Sequence, residues 1–122
     1  MLSEKLKSVF KHEGIVTVVA QGEDFPHVTN TWNIWVLVND DYLVLPVGGM
    51  NQMEVILKNN NKVIVTAGSK EVEGLYGEGA GFHIHGIASI IFSGDEYETI
   101  KEKFEWTRAI MKIDVIDFKQ MA

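Results

Sequence analysis

Leu2, Leu6, Val9 and Phe10 recur at helical spacing behind Ser3, a residue suited to cap a helix start, and Gly14 is a natural stop. Ile15–Ala20 then carries β-branched residues with no polar alternation, the pattern of a strand buried on both faces. A turn cluster occupies residues 21–26. Residues 27–38 read as one long strand or as two joined by a bulge. Val28, Asn30, Trp32, Ile34, Val36 and Val38 would share one face; Thr29, Thr31, Asn33, Trp35 and Leu37 would share the other.

Asn39, Asp40 and Asp41 form a turn before the next strand, Tyr42–Val47. Pro46 cannot donate a ladder hydrogen bond, so that end lies at an edge or a bulge, and Gly48-Gly49 breaks the strand. Asn51 and Glu54 have the spacing of a capping box, which predicts a helix over 52–58 with Met53, Ile56 and Leu57 as its apolar stripe. A strand over 63–67, a Gly-rich loop and a long strand over 82–92 follow. Asp95 and Glu98 repeat the capping-box spacing before a helix bearing Tyr97, Ile100 and Phe104, and residues 109–118 form a last strand.

The sum is about six strands and three short helices, with little room for crossover helices. An antiparallel barrel is the expected fold, because a sheet that closes on itself has no exposed edges. At 122 residues the chain fits one domain spanning 1–122. It has no cysteine, which excludes disulfides, thiolate zinc sites and a cysteine nucleophile. With a formal charge of −6 and a single arginine, Arg108, against ten lysines, it is a poor nucleic-acid binder. No apolar run reaches the ~20 residues of a membrane span, and the acidic residue Glu4 makes the start unlike a signal peptide. The expectation is a cytoplasmic protein without nucleic-acid or membrane partners.

Two features point to a bound aromatic ligand. On a regular strand Trp32 and Trp35 face opposite ways, so one indole is left on an outer face unless a partner chain or a flat ligand covers it. Around them Asn30, Thr31 and Asn33 offer the donors and acceptors that the pyrimidine edge of a flavin needs beside an apolar ring face. The second feature is residues 46–52, where a strand end and a Gly pair lead into a helix. Glycines let backbone amides approach a phosphate, and a helix start attracts its charge, although the Walker and dinucleotide fingerprints are absent. By residue type alone both stretches also read as a capped bulge and a plain strand-to-helix turn.

Residues 21–33, QGEDFPHVTNTWN, together with PVGGM at 46–50, resemble the FMN-binding split-barrel family related to pyridoxamine 5'-phosphate oxidase. Within it, the chain is similar to the small flavin mononucleotide (FMN) binding proteins of sulfate-reducing bacteria. The similarity runs through residues 74–86, Trp106 and the last strand. It implies a split β-barrel that works as a homodimer, with one non-covalent FMN per subunit near the dimer interface. By the same resemblance Asn30, Thr31 and Trp32 line the flavin, and Trp35 takes the place of an aromatic beside the ring. Val47, Gly48 and Gly49 run past the cofactor, and Trp106 matches an aromatic given by the partner chain. Glu13 matches an acidic residue near the flavin, where negative charge disfavours added electrons.

The chain departs from the family after GGM, where Gln52 and Met53 replace a Lys-Thr pair that helps to hold the phosphate. Losing a charge-assisted hydrogen bond there costs ~1.5–3 kcal/mol, although Gln52 still donates a neutral one. Ala122 stands where the family has a larger aliphatic residue near the flavin.

No residue is placed as a dedicated acid, base or nucleophile, which favours an electron-transfer flavoprotein acting with a redox protein partner. A flavin-dependent oxidoreductase using NAD(P)H or a small substrate is the alternative, and a barrel that has lost its cofactor is the third reading. His83 and His85 share one strand face. With His12 or His27 they could hold a metal, but no acidic residue stands at a supporting spacing, so they are expected to face solvent or an interface. Ser69, His85 and Asp95 make a hydrolase triad only on paper, since no GxSxG elbow exists. Glu71, Glu73 and Glu78 read as a solvated face of the Gly-rich loop.

Overall fold

The computed structural model describes residues 1–122. Helix α1 (Glu4–Val9) begins as its sequence predicts: Ser3 Oγ accepts from the Leu6 amide, and Leu6 and Val9 are buried. Strands β1 (Ile15–Ala20) and β2 (His27–Trp32) pair antiparallel, and a 3₁₀ turn (Asn33–Trp35) leads to the two-residue β3 (Leu37–Val38). Then come β4 (Tyr42–Val47), α2 (Asn51–Asn59), β5 (Lys62–Glu73), β6 (Glu78–Ile91), α3 (Asp95–Lys103) and β7 (Ala109–Gln120).

All seven strands join one antiparallel sheet in the order β2-β1-β5-β6-β7-β4-β3. The sheet curls into a split β-barrel with three helices. Long strands β5, β6 and β7 form its middle. The predicted Gly-rich loop is mostly strand: β5 and β6 extend towards each other and leave only residues 74–77 as the turn.

Inside the curl lies one core drawn from α1, α2 and most of the strands, with Leu6, Val18, Leu45, Met53, Ile84 and Ile113 fully buried. A smaller cluster of Val44, Ile100 and Ile110 seats α3 on the opposite side of β4 and β7. Strand β4 is therefore covered on both faces, which explains its unbroken apolar sequence. Pro46 pairs with Ile110 on β7 and lies beyond the reach of β3, which bonds only at Val44 and Leu43, so its missing N–H costs no ladder bond.

Three expectations need correction. Strand β1 is covered on one face only: Val16, Val18 and Ala20 are buried while Ile15 is half exposed. Residues 27–38 form neither a continuous strand nor a bulged pair, because the 3₁₀ turn interrupts them. Neither capping box forms. Helix α2 starts behind Met50, which is left-handed with φ 56°, and α3 starts behind Gly94 with φ 112°; neither has a side-chain cap. Asn51 and Asp95 are the first helical residues rather than the caps.

Candidate functional site

Strand β2 is a sheet edge whose alternate residues face out. Thr31 is buried; Asn30 and Trp32 are exposed, Trp32 by 45%. Across the ladder Trp32 stands opposite Ile15 and Asn30 opposite Thr17. The Thr17 hydroxyl donates to Asn30 Oδ1 at 2.8 Å, which leaves the Asn30 NH₂ as a free outward donor. The outward rows continue across the sheet, one through Val28, Val19, Ile64, His85 and Asp117, the next through Asn30, Thr17, Thr66, His83 and Lys119. Ile15, Val28 and Ile64 expose between 41% and 51% of their surface there.

Asn33, the first residue of the 3₁₀ turn, is fully buried. Its Nδ2 donates to the carbonyls of Val9 (3.1 Å) and Gly68 (2.9 Å), and its amide to Gly14 (3.0 Å). These bonds fix the turn that separates the two indoles. Trp35 accordingly lies neither inside the barrel nor on the face opposite Trp32. It joins Phe104 (ring centroids 5.0 Å apart) and Trp106 (5.5 Å), and Phe104 and Trp106 lie 5.6 Å apart. The Trp35–Trp106 interval is closed to a third ring, since a planar group between them needs about 7 Å, twice the carbon contact distance. The free aromatic surface is on the outside of the cluster, where Trp106 is 48% exposed.

Trp106 packs against the Gly48-Gly49 turn. A Cβ on Gly48 would meet its Cε3 at 3.0 Å, whereas one on Gly49 meets nothing within 4 Å. Packing therefore requires the first glycine, while the second leaves open space for an outside molecule. Met50 follows in the left-handed conformation, the one non-glycine residue of the chain with positive φ, and α2 begins directly after it. The first amides of α2 have no partner within the helix and no side-chain cap, so this end offers N–H donors to an anion. Gln52 is exposed in this first turn; Met53 is fully buried and its side chain faces the core. Val47 is fully buried too, so only its backbone can pass a ligand.

A cleft of about 650 Å³ opens beside Trp32, lined also by Glu13, Ile15, Ser69, Lys70 and Ala122. It lies within the usual ~300–1,000 Å³ range of ligand pockets. Glu13 and Ala122 thus come to the indole of Trp32, far as they are in sequence. The residues singled out by sequence fall into two groups. Asn30, Trp32, Glu13 and Ala122 belong to the β2 side, while Trp35, Gly48, Gly49, Gln52 and Trp106 gather between β4, α2 and the start of β7.

Three participants escaped sequence reasoning. Arg108 donates to both glycine carbonyls, Phe104 completes the aromatic cluster, and Asp117, opposite His85 on the neighbouring strand β7, sits 2.8 Å from His85 Nδ1 as an acidic partner 32 residues on in sequence. The lone arginine among ten lysines marks the one side chain with a planar fork of donors, the kind that can hold two carbonyls and a carboxylate at once. The chain holds no group of three His, Asp or Glu side chains arranged for a metal, and no helix long and apolar enough to cross a membrane.

No family model matches the chain. Among solved structures it is similar to HupZ from Group A Streptococcus, with TM-score 0.79 at 16% identity over 99% of this chain and 94% of the other. It is also similar to an FMN-binding protein from Syntrophomonas wolfei, with TM-score 0.71 at 13% identity over 98% and 85%. A candidate pyridoxamine 5'-phosphate oxidase from Lactobacillus delbrueckii gives TM-score 0.74 at 15% identity over 97% and 93%. Identities this low speak for the fold alone. One relative is much nearer in sequence: the FMN-binding protein of Nitratidesulfovibrio vulgaris (strain DSM 19637 / Miyazaki F) is 41% identical over 121 residues, 98% of each chain. At that identity, over essentially the full length and on the same split barrel, the chain belongs to the family of this FMN-binding protein.

Proposed function

We propose that this single-domain protein binds one FMN non-covalently per subunit, at the boundary of a homodimer, and carries electrons to and from a redox protein. The observation that carries the reading is the turn at 48–50. An open glycine, a left-handed residue and an uncapped helix start follow one another directly beneath an exposed indole. That combination suits a ligand with an anionic tail and a flat ring, and the 41% identical relative is named for FMN.

In this reading the amides of Gly49, Met50 and the first turn of α2 receive the phosphate, with Gln52 adding a neutral donor. The backbone at Val47 and Gly48 runs alongside the ribityl chain. Trp106 and Trp35 present their outer surface to the ring system. Asn30 offers its free NH₂, the backbone at Thr31 offers further polar contacts, and Trp32 covers the ring from the β2 side. Two groups of contacts and an uncovered apolar face on β1, β2 and β5 favour a second copy of the chain as the cover. Bound FMN supplies one- and two-electron redox chemistry; the protein orients it and sets the charge around it. The charged pair beside the turn, Arg108 and Glu54, is tied up with the Gly48 and Gly49 carbonyls, which supports electron carriage over turnover of a small substrate.

The test is the visible spectrum of the purified chain after FMN is added and the excess removed, read with the sedimentation mass. Retained flavin bands on a species of twice the chain mass are expected. A colourless protein defeats the cofactor assignment, a yellow monomer defeats the shared boundary, and steady NAD(P)H consumption by the yellow protein defeats the carrier role in favour of an oxidoreductase.

A further inference from the structure

Arg108, the chain's only arginine, is committed to backbone. Nε donates to the Gly48 carbonyl at 3.0 Å, Nη2 to the Gly49 carbonyl at 2.7 Å, and Nη1 lies 2.9 Å from Glu54 Oε1. The amide of Arg108 also donates to the Val47 carbonyl at 2.7 Å. Three successive carbonyls, those of Val47, Gly48 and Gly49, are thus held by one residue. Every peptide bond in the chain is trans, so the N–H that follows each carbonyl points the opposite way. The amides of Gly48, Gly49 and Met50 are therefore turned away from the groups of Arg108 that hold the carbonyls, and a Cβ on Gly49 would meet nothing within 4 Å.

Glu54 adds an electrostatic problem that the same arginine solves. It sits in the first turn of α2, where a carboxylate suits the helix but competes with any other anion drawn to that end. The guanidinium neutralises it at contact distance in a half-buried pair. Lysine could not do both jobs, because its single ammonium cannot bridge two carbonyls in a fixed plane while pairing with a carboxylate.

We propose that Arg108 is a positioning residue for the phosphate of the ligand: by gripping the Gly48 and Gly49 carbonyls and neutralising Glu54, it aims the turn's amides outward and gives the protein its preference for FMN over riboflavin. The inference rests on the proposed phosphate seat at this turn.

Titrations of FMN and of riboflavin, followed by flavin fluorescence, test it on wild type, Arg108→Lys, Arg108→Ala and Glu54→Gln, with thermal unfolding of each ligand-free protein. Wild type is expected to prefer FMN. Arg108→Lys keeps the charge but loses the fork, so its preference should fall roughly tenfold while riboflavin binding changes little. Glu54→Gln leaves the carbonyl bonds in place and removes the competing carboxylate, so its preference for FMN should rise. If wild type binds both ligands equally, the phosphate seat itself is wrong. If wild type discriminates and Arg108→Lys discriminates as well, the seat stands and the positioning role is refuted. Equal losses for both ligands refute it too, since they mark general damage. Arg108→Lys and Glu54→Gln keep the test valid if Arg108→Ala does not fold.

Discussion

Gly48 lies against the indole of Trp106, so closely that a methyl group in place of its hydrogen would come within 3.0 Å of Cε3. Turn and ring therefore move as one unit, and the adjacent glycine provides the control. Gly48→Ala must shift the half-exposed Trp106 ring by a few tenths of an ångström against Trp35 and Phe104, which should change the near-UV circular dichroism and lower FMN affinity several-fold. Gly49→Ala meets no atom of the chain and should leave the melting temperature unchanged while still lowering FMN affinity, because its methyl group enters the space left for the ligand. Unaltered FMN binding in Gly49→Ala would remove this space from the site.

Gln52 and Met53 differ in what restoring the family's Lys-Thr pair would do. Gln52 is exposed in the first turn of α2, so Gln52→Lys can bring an ammonium to a phosphate without disturbing packing. A gain of roughly tenfold for FMN and none for riboflavin is expected, from one charge-assisted bond. An equal gain for both ligands argues against a phosphate at this helix end. Met53→Thr is a different matter. Met53 is fully buried, so the change leaves a void and a hydroxyl in the core and should cost about 2–4 kcal/mol in urea unfolding. If Met53→Thr instead unfolds at the wild-type urea midpoint, the residue is not core.

What could be read from the sequence followed from local chemistry. The Ser3 cap and the strand alternation in β2 are set by neighbours a few residues away. The failures came where distant residues decide. Asn51 and Asp95 have cap spacing, yet the left-handed Met50 and Gly94 start their helices instead. Residues 33–35 look like strand, but Asn33 trades ladder bonds for the carbonyls of Val9 and Gly68, and no local pattern announces that exchange. Arg108 was visible as an oddity of composition, while its targets sixty residues earlier were not.

Lys7 and Asp40 tie α1 to the turn before β4 at 2.6 Å. Their hydrogen bond is the main cause that raises the Lys7 pKa above its ordinary 10.5 and lowers that of Asp40 below 3.8. The signs give a window with two limbs. The lowered Asp40 contributes stability above its unfolded value, lost as pH falls through the folded one; the raised Lys7 contributes below 10.5, lost as pH rises through its folded value. Asp40→Asn should flatten both limbs of the melting temperature against pH while leaving the neutral plateau only slightly lower, since the pair is exposed. Limbs identical to wild type in the variant would show that other groups produce them.

Asn33 should be the costliest single position of the indole-bearing turn. Its side chain is fully buried and satisfies the carbonyls of Val9 and Gly68, while its own Oδ1 has no partner. Asn33→Ala removes the donor that ties the Val9 and Gly68 carbonyls together, with the Val9 carbonyl keeping only the His12 amide at 3.2 Å, and should cost about 2–4 kcal/mol by urea unfolding. Asn33→Asp is worse at neutral pH, because a buried carboxylate then faces two carbonyl oxygens. That burial raises the folded pKa of the new acid above its unfolded value, so the folded state binds the proton more tightly. Part of the lost stability must therefore return as pH falls towards 4 and vanish again as pH rises. Because the turn carries Trp32 and Trp35 at its two ends, the same variants should loosen the contact between Trp35 and Trp106, read as changed tryptophan emission. An Asn33→Asp protein with wild-type stability and emission at pH 7 would mean that the amide does not hold the turn.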